Sequence, residues 1–212
     1  MLLSKIHSEP DEIQAALAAL GLTSDPIWNA IKGGLLARDS CTENDPPFFP
    51  GIFQWGRTVR ILREETAPLG WSRSDEGNFC TAVEPEGKFA IAVASGCENT
   101  GCKPPASPTT RRRKGPSTAD AVNTNAQLSL FPEPAPAISA SKSDRATWIL
   151  LFYRDREEVR AELSLPDSIG DDGHIDGWRE RIILGALPLD GNIIPVAPDF
   201  GPDPIIDVRR RA

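Results

Sequence analysis

The sequence has no run of about 18 consecutive apolar residues, the length that a helix needs to cross a membrane. It also lacks a basic stretch followed by an apolar stretch near its start, which is the pattern of a secretory signal peptide. Both absences argue against a membrane-spanning or exported protein. We therefore expect a cytoplasmic protein with no membrane partner.

Motifs of the common enzyme classes are missing as well. The sequence contains no glycine-rich phosphate cradle and no nucleophile elbow, and its two histidines, His7 and His174, do not form a recognisable catalytic pair. Enzymatic activity is therefore unsupported, and we expect no cofactor.

Cysteine is scarce, and its spacing is not that of a zinc site. Cys41, Cys80, Cys97 and Cys102 lack the paired two-residue gaps of such a site, so we expect reduced thiols. Cys97 and Cys102 lie five positions apart in a glycine-flanked loop. They can be read as a redox pair, as half of a metal site, or as two reduced thiols at the mouth of a loop.

Proline and basic residues are concentrated in one segment, residues 103–145. It holds seven of the 20 prolines and few large apolar residues, which is typical of chains that do not fold alone. Its seven basic and three acidic residues give it a charge of +4. Because the whole chain carries a net charge of −7, the remaining residues together carry −11. An acidic body repels phosphates, so any contact with DNA should come from this segment or from the chain ends.

The apolar pattern on either side predicts an α+β fold, with N-terminal helices packed on an antiparallel sheet that a long proline-rich disordered linker interrupts. Helical spacing predicts three amphipathic helices before residue 68. Alternation predicts strands at 79–83 and 89–93, which form a hairpin, and at 159–165. An unbroken apolar run predicts a strand buried on both faces at 148–153, and we expect a further strand at 180–187. We expect three regions: 1–102, helical with a hairpin; 103–145, a flexible linker; and 146–212, rich in strands that complete the same sheet.

Four adjacent cations lie within this linker, at Arg111, Arg112, Arg113 and Lys114. In a mobile segment they are candidate contacts for a nucleic-acid backbone, because each neutralised phosphate adds salt-dependent affinity. They can equally be a charge run that keeps the segment in solution.

Further along the linker is the sequence Gln127, Leu128, Ser129, Leu130 and Phe131, in which three of the five residues are large and apolar. We call residues 127–131 the docking motif. It resembles the pentapeptide by which bacterial polymerases, repair proteins and initiation regulators dock on the ring-shaped DNA sliding clamp, and all five positions agree with that pattern. An alternative is a short edge strand or an apolar tether that packs on its own domain.

The resemblance implies a role for each position. Gln127 would fix the register through its side-chain amide, Leu130 and Phe131 would fill an apolar cleft on the clamp, and Leu128 would cover its edge. The implied protein is a non-enzymatic accessory factor of bacterial DNA replication or repair, whose partners are the clamp and, through residues 111–114, DNA.

Two other functions remain open. One is an inhibitor of clamp traffic, encoded by a mobile element, whose acidic body would keep other proteins from the ring. The other is a metal-dependent nuclease that uses Asp171, Asp172, His174 and Asp176, which are clustered in one loop. Aspartate and glycine also gather in ordinary turns for backbone reasons, so this cluster indicates a metal only weakly.

Overall fold

The computed structural model describes residues 4–130 and 145–189. Within these ranges the helices are α1 (Pro10–Ala19), α2 (Ser24–Asp39), α3 (Phe49–Thr66) and α4 (Pro116–Leu130). The strands are β1 (Lys5–His7), β2 (Ser72–Ser74), β3 (Thr81–Val83), β4 (Phe89–Ser95), β5 (Ala146–Arg154), β6 (Glu158–Ile169) and β7 (Ile175–Pro188). None of the described helices is long and apolar enough to cross a membrane.

All seven described strands belong to one sheet, in the order β1-β7-β6-β5-β4-β3-β2. The sheet is mixed, and the prediction of an antiparallel sheet was wrong in this respect. β4 pairs with β5 in parallel, and β1 pairs with β7 in parallel. Parallel neighbours need a crossover connection, and the chain between β4 and β5 provides one that includes α4.

The helices cover both faces of this sheet. On one face α1, α2 and α3 form the larger core with the strands, which includes Leu17, Ile31, Leu62, Ile91, Leu150 and Leu163. On the other face α4 covers a smaller core that includes Val122, Ile149, Leu151, Ile175 and Trp178. Successive residues of β5 therefore enter different cores, which explains why its unbroken apolar sequence predicted a strand buried on both faces.

The segment 103–130 differs from the predicted flexible linker. Residues 116–130 form α4, in which Val122 and Asn125 are buried, and Thr110 is buried in the preceding loop. The indole Nε1 of Trp178 donates a hydrogen bond to the Pro108 carbonyl oxygen at 2.7 Å. A few buried groups and main-chain hydrogen bonds hold this segment on the sheet, although it is poor in large apolar residues. The remainder of the predicted linker, 131–144, lies outside the described residues.

Asn125 anchors α4 to the sheet. Its Nδ2 donates to the carbonyl oxygens of Thr147 at 2.8 Å and Pro166 at 2.9 Å. Its Oδ1 accepts from the Thr147 amide at 2.7 Å, and the residue is fully buried. Because one side chain meets three main-chain groups of β5 and β6, the position of α4 is fixed as far as residue 125.

A buried ion pair joins β6, β7 and the crossover loop. Glu162 is 0% exposed and Arg181 is 2% exposed, and their side chains meet through two hydrogen bonds of 2.6 and 3.0 Å. Arg181 also donates to the carbonyl oxygens of Cys102 at 3.1 Å and Ala106 at 2.9 Å. Glu162 accepts from the Gly101 amide at 2.8 Å. Both charges are therefore paired, and the loop after β4 is fixed by the same groups.

Removing one partner of this pair should destabilise the fold strongly. We expect Arg181→Met to lower the free energy of unfolding by about 3–5 kcal/mol, because it leaves the Glu162 carboxylate buried without its counter-charge. Urea unfolding followed by tryptophan fluorescence measures the loss.

The control is the exposed pair Arg60–Glu64, whose groups are 2.7 Å apart. Glu64→Ala should cost less than about 1 kcal/mol, since exposed ion pairs contribute little. A loss for Arg181→Met as small as that of the control would contradict a structural role for the buried pair.

Candidate functional site

A large cavity opens where the parallel strands β4 and β5 end. It has a volume of about 1030 Å³ and lies between these strand ends, the start of α3 and the loop after β4. Crevices at the carboxyl ends of parallel strands are frequent ligand sites, because the chain leaves neighbouring strands at the same edge. We call this cavity the basic cleft.

Cations from separate parts of the chain converge on the basic cleft. They are Arg38, Arg111, Arg112, Lys114, Arg154 and Arg156. Among the described residues that line the cleft, one carboxylate, that of Asp155, accompanies them. Arg154 pairs with Asp39 outside the lining. The cleft therefore has a positive field on an acidic protein, which is the arrangement that attracts a polyanion.

Asp155 is already engaged by the main chain. Its Oδ1 accepts hydrogen bonds from the amides of Glu157 and Glu158, each at 2.9 Å. These amides hold the pKa of Asp155 below its usual value, so it stays ionised and serves the turn between β5 and β6.

The main chain holds the cations of residues 111–114 in place. The Arg111 amide donates to the Ser95 carbonyl oxygen and the Lys114 amide donates to the Gly173 carbonyl oxygen, both at 2.8 Å. The expectation that these cations lie on a mobile tether was therefore wrong. Arg111, Arg112 and Lys114 line the basic cleft, whereas the stem of Arg113 lies against Gly173 outside it.

Lys114 is the most enclosed of these three cations. Burial lowers the pKa of its ammonium group, because water no longer fully solvates the charge. A phosphate or carboxylate bound nearby would favour the charged form again. Lys114 thus combines a partly desolvated ammonium group with main-chain support beside the cleft.

Apolar side chains at the start of α3 also line the cleft, and we call them the apolar wall. Phe48 is 62% exposed and Ile52 is 54% exposed, and both line the cleft. The indole Nε1 of Trp55 donates to the Val93 carbonyl oxygen at 3.0 Å, which fixes this end of α3 on β4. Exposed apolar groups that share a cleft with several cations are typical of surfaces that bind amphipathic anions.

Gln54 lies in the cleft lining with an unsatisfied donor. The residue is 4% exposed, and its Nε2 has no hydrogen-bond partner in the described part of the chain. Buried polar groups in folded proteins usually have partners, and an unpaired one costs stability. Such a cost is typical of functional sites.

Comparison with protein-family models, with curated proteins and with solved structures finds no match to this chain.

The loop whose carboxylates suggested a metal site forms the turn between β6 and β7. The Asp172 carboxylate accepts from the His174 amide at 2.9 Å, and the His174 imidazole contacts the Thr110 carbonyl oxygen. Asp176 accepts from the Ser168 hydroxyl at 3.2 Å. Across residues 4–130 and 145–189, no three histidine, cysteine or carboxylate side chains are placed to hold a metal ion. Asp171, Asp172, His174 and Asp176 therefore give the nuclease hypothesis no support.

The cysteines contribute no disulfide. All four are free thiols. Cys97 accepts a hydrogen bond from the Thr109 amide at 3.2 Å, and Cys102 contacts the guanidinium of Arg160. The two sulfurs therefore lie within the polar contacts of the crossover loop.

The docking motif begins in the final turn of α4. Gln127 is exposed and Leu128 is half-buried. Ser129 and Leu130 belong to the helix, although their side chains are not described, and Phe131 lies outside the described residues. The resemblance implies an extended docking peptide, whereas residues 127–130 are helical.

A smaller cavity of about 380 Å³ lies between α4 and the β2–β4 edge of the sheet. Its charged lining residues are Glu76, Asp120 and Arg145. The mixed signs favour no charge of ligand, so the basic cleft is the stronger candidate site.

Replacing Gln54 by an apolar residue of similar size should stabilise the protein. We expect Gln54→Met to raise the free energy of unfolding by about 1 kcal/mol, because the buried donor without a partner is removed. Gln14→Met on the exposed face of α1 is the matched control and should change it little. In urea unfolding, a loss of stability for Gln54→Met would show that the amide has a stabilising partner.

Proposed function

We propose that this protein docks on the bacterial DNA sliding clamp through residues 127–131 and acts without catalysis in DNA replication or repair. The observation that carries this proposal is the complete five-residue motif, Gln127, Leu128, Ser129, Leu130 and Phe131. In support, Gln127 is exposed, and the residue that would set the register is therefore accessible.

Docking requires the last turn of α4 to unwind, because the motif binds as an extended chain. The last four carbonyl groups of a helix lack partners within it, so unwinding from this end loses few hydrogen bonds. Asn125, two positions before the motif, remains bonded to β5 and β6. The motif can therefore extend while the rest of α4 keeps its place.

The motif alone should bind weakly. Burying a leucine or a phenylalanine contributes about 1.5–3 kcal/mol each. Ordering a released segment costs about 2–5 kcal/mol, which offsets much of this gain. Strong binding then needs a second contact, which the ring can supply by presenting more than one identical groove.

The test is capture by purified clamp in surface plasmon resonance. We expect the variant Leu130→Ala/Phe131→Ala to bind at least about a hundredfold more weakly, because both apolar anchors are lost. Leu69→Ala, which truncates an exposed apolar side chain elsewhere, is the control and should bind like the wild type. Equal capture of the wild type and the double variant would refute the proposal.

The same assay tests whether the helix must unwind. Ala126→Gly lowers helix propensity by about 1 kcal/mol just before the motif, and it should tighten clamp binding up to about fivefold. An affinity unchanged or lowered by Ala126→Gly, with the fold intact by circular dichroism, would show that α4 does not compete with docking.

A further inference from the structure

We propose that the basic cleft binds a single strand of nucleic acid, with its phosphates along the cations and its bases against the apolar wall. This inference does not depend on clamp docking, since it uses none of residues 127–131.

The charge of the cleft points to a chain of phosphates. Arg111, Arg112 and Lys114 follow one edge at nearly consecutive positions, while Arg38 and Arg156 come from other elements. None of these five forms an ion pair with a carboxylate in the described part of the chain. A row of unpaired cations suits repeated phosphates, because each contact releases counterions from the strand.

The apolar wall distinguishes a single strand from a duplex. In a duplex the bases are stacked inside, so Phe48 and Ile52 would face only sugars and phosphates. An unpaired strand presents base faces, and stacking of a base on an aromatic ring contributes about 1–3 kcal/mol irrespective of sequence. Phe48 is 62% exposed beside the cations, as a stacking platform must be.

Two enclosed hydrogen-bond donors also belong to the lining of the cleft. Gln54 has a buried Nε2 without a partner among the described residues, and Lys114 is a partly buried ammonium. The Lys114 ammonium can donate to phosphate oxygens, whereas the Gln54 Nε2 is enclosed and needs a side-chain rotation to reach a ligand. The site therefore has groups for both parts of a nucleotide, the charged backbone and the apolar base.

The probe is a fluorescein-labelled oligothymidine of about 20 nucleotides, followed by anisotropy at several salt concentrations. We expect binding to the wild-type protein with affinity that falls as salt rises, by a slope of about 0.7 for each phosphate contact. Oligouridine should bind comparably, and a duplex of equal length at least about tenfold more weakly, because it offers no free base faces.

Two matched pairs of variants locate the contact. Arg112→Gln should weaken binding about fivefold or more and reduce the salt slope, whereas its neighbour Arg113→Gln, which removes the same charge outside the cleft, should have little effect. Phe48→Leu should weaken binding about fivefold or more at an unchanged salt slope, and Phe48→Trp should restore it, since the indole again presents an aromatic face.

Several results would overturn the inference. They are no binding of oligothymidine, binding of duplex as strong as that of the single strand, equal effects of the Arg112 and Arg113 variants, and binding of polyglutamate as tight as that of oligothymidine. The last result would assign the cleft to acidic proteins instead. The Leu130→Ala/Phe131→Ala variant should bind oligothymidine like the wild type, so failure of clamp docking and failure of strand binding are separate outcomes.

Discussion

The buried pair of Glu162 and Arg181 is the contact on which the site depends. Two charges removed from water are stable only when each has its partner and its remaining hydrogen bonds. Here those additional partners are the Gly101 amide and the Ser164 hydroxyl for Glu162, and the carbonyl oxygens of Cys102 and Ala106 for Arg181. The pair therefore fixes the loop that leaves β4 as well as joining β6 to β7.

The fixed loop then determines where the cations lie. After Ala106 the chain passes Pro108, which accepts from Trp178, and the buried Thr110. Main-chain hydrogen bonds to Ser95 and Gly173 hold the next residues beside the end of β4. Arg111, Arg112 and Lys114 thus reach the cleft from a rigid support, which lowers the entropic cost of binding compared with cations on a mobile tether.

Local pattern predicted much of the fold. Alternation between residues 79 and 93 gave the hairpin of β3 and β4, and the apolar run from Trp148 to Tyr153 gave the central strand β5. These elements were predictable because their signal lies within the elements themselves. The parallel pairing of β4 with β5 was not, because it depends on how the intervening segment crosses the sheet.

The site was predictable only in part. The adjacent cations were recognisable as candidate contacts, and three of them line the cleft. Arg38, Arg154 and Arg156 reach the same cleft from α2, the end of β5 and the turn after it, and no local pattern marks such a convergence. Glu162 and Arg181 were missed because a charged residue in an alternating strand normally faces water. Residues 116–130 resemble a linker because small residues outnumber the three large apolar ones, Val122, Leu128 and Leu130, which leaves little helical periodicity. The three hydrogen bonds of Asn125 have no signal in such a pattern.

Hydrogen exchange tests most directly whether the buried pair holds the loop that carries the cations. In Glu162→Gln the amides of Arg111 and Lys114 should exchange about tenfold faster or more relative to the wild type, because the loop opens locally while the sheet stays folded. Amides in the centre of β5 should exchange faster only by the factor that the global loss of stability sets, and they should remain slower than the amides of Arg111 and Lys114. Unchanged exchange at Arg111 and Lys114, or exchange of the loop and of β5 at one common rate, would contradict this account.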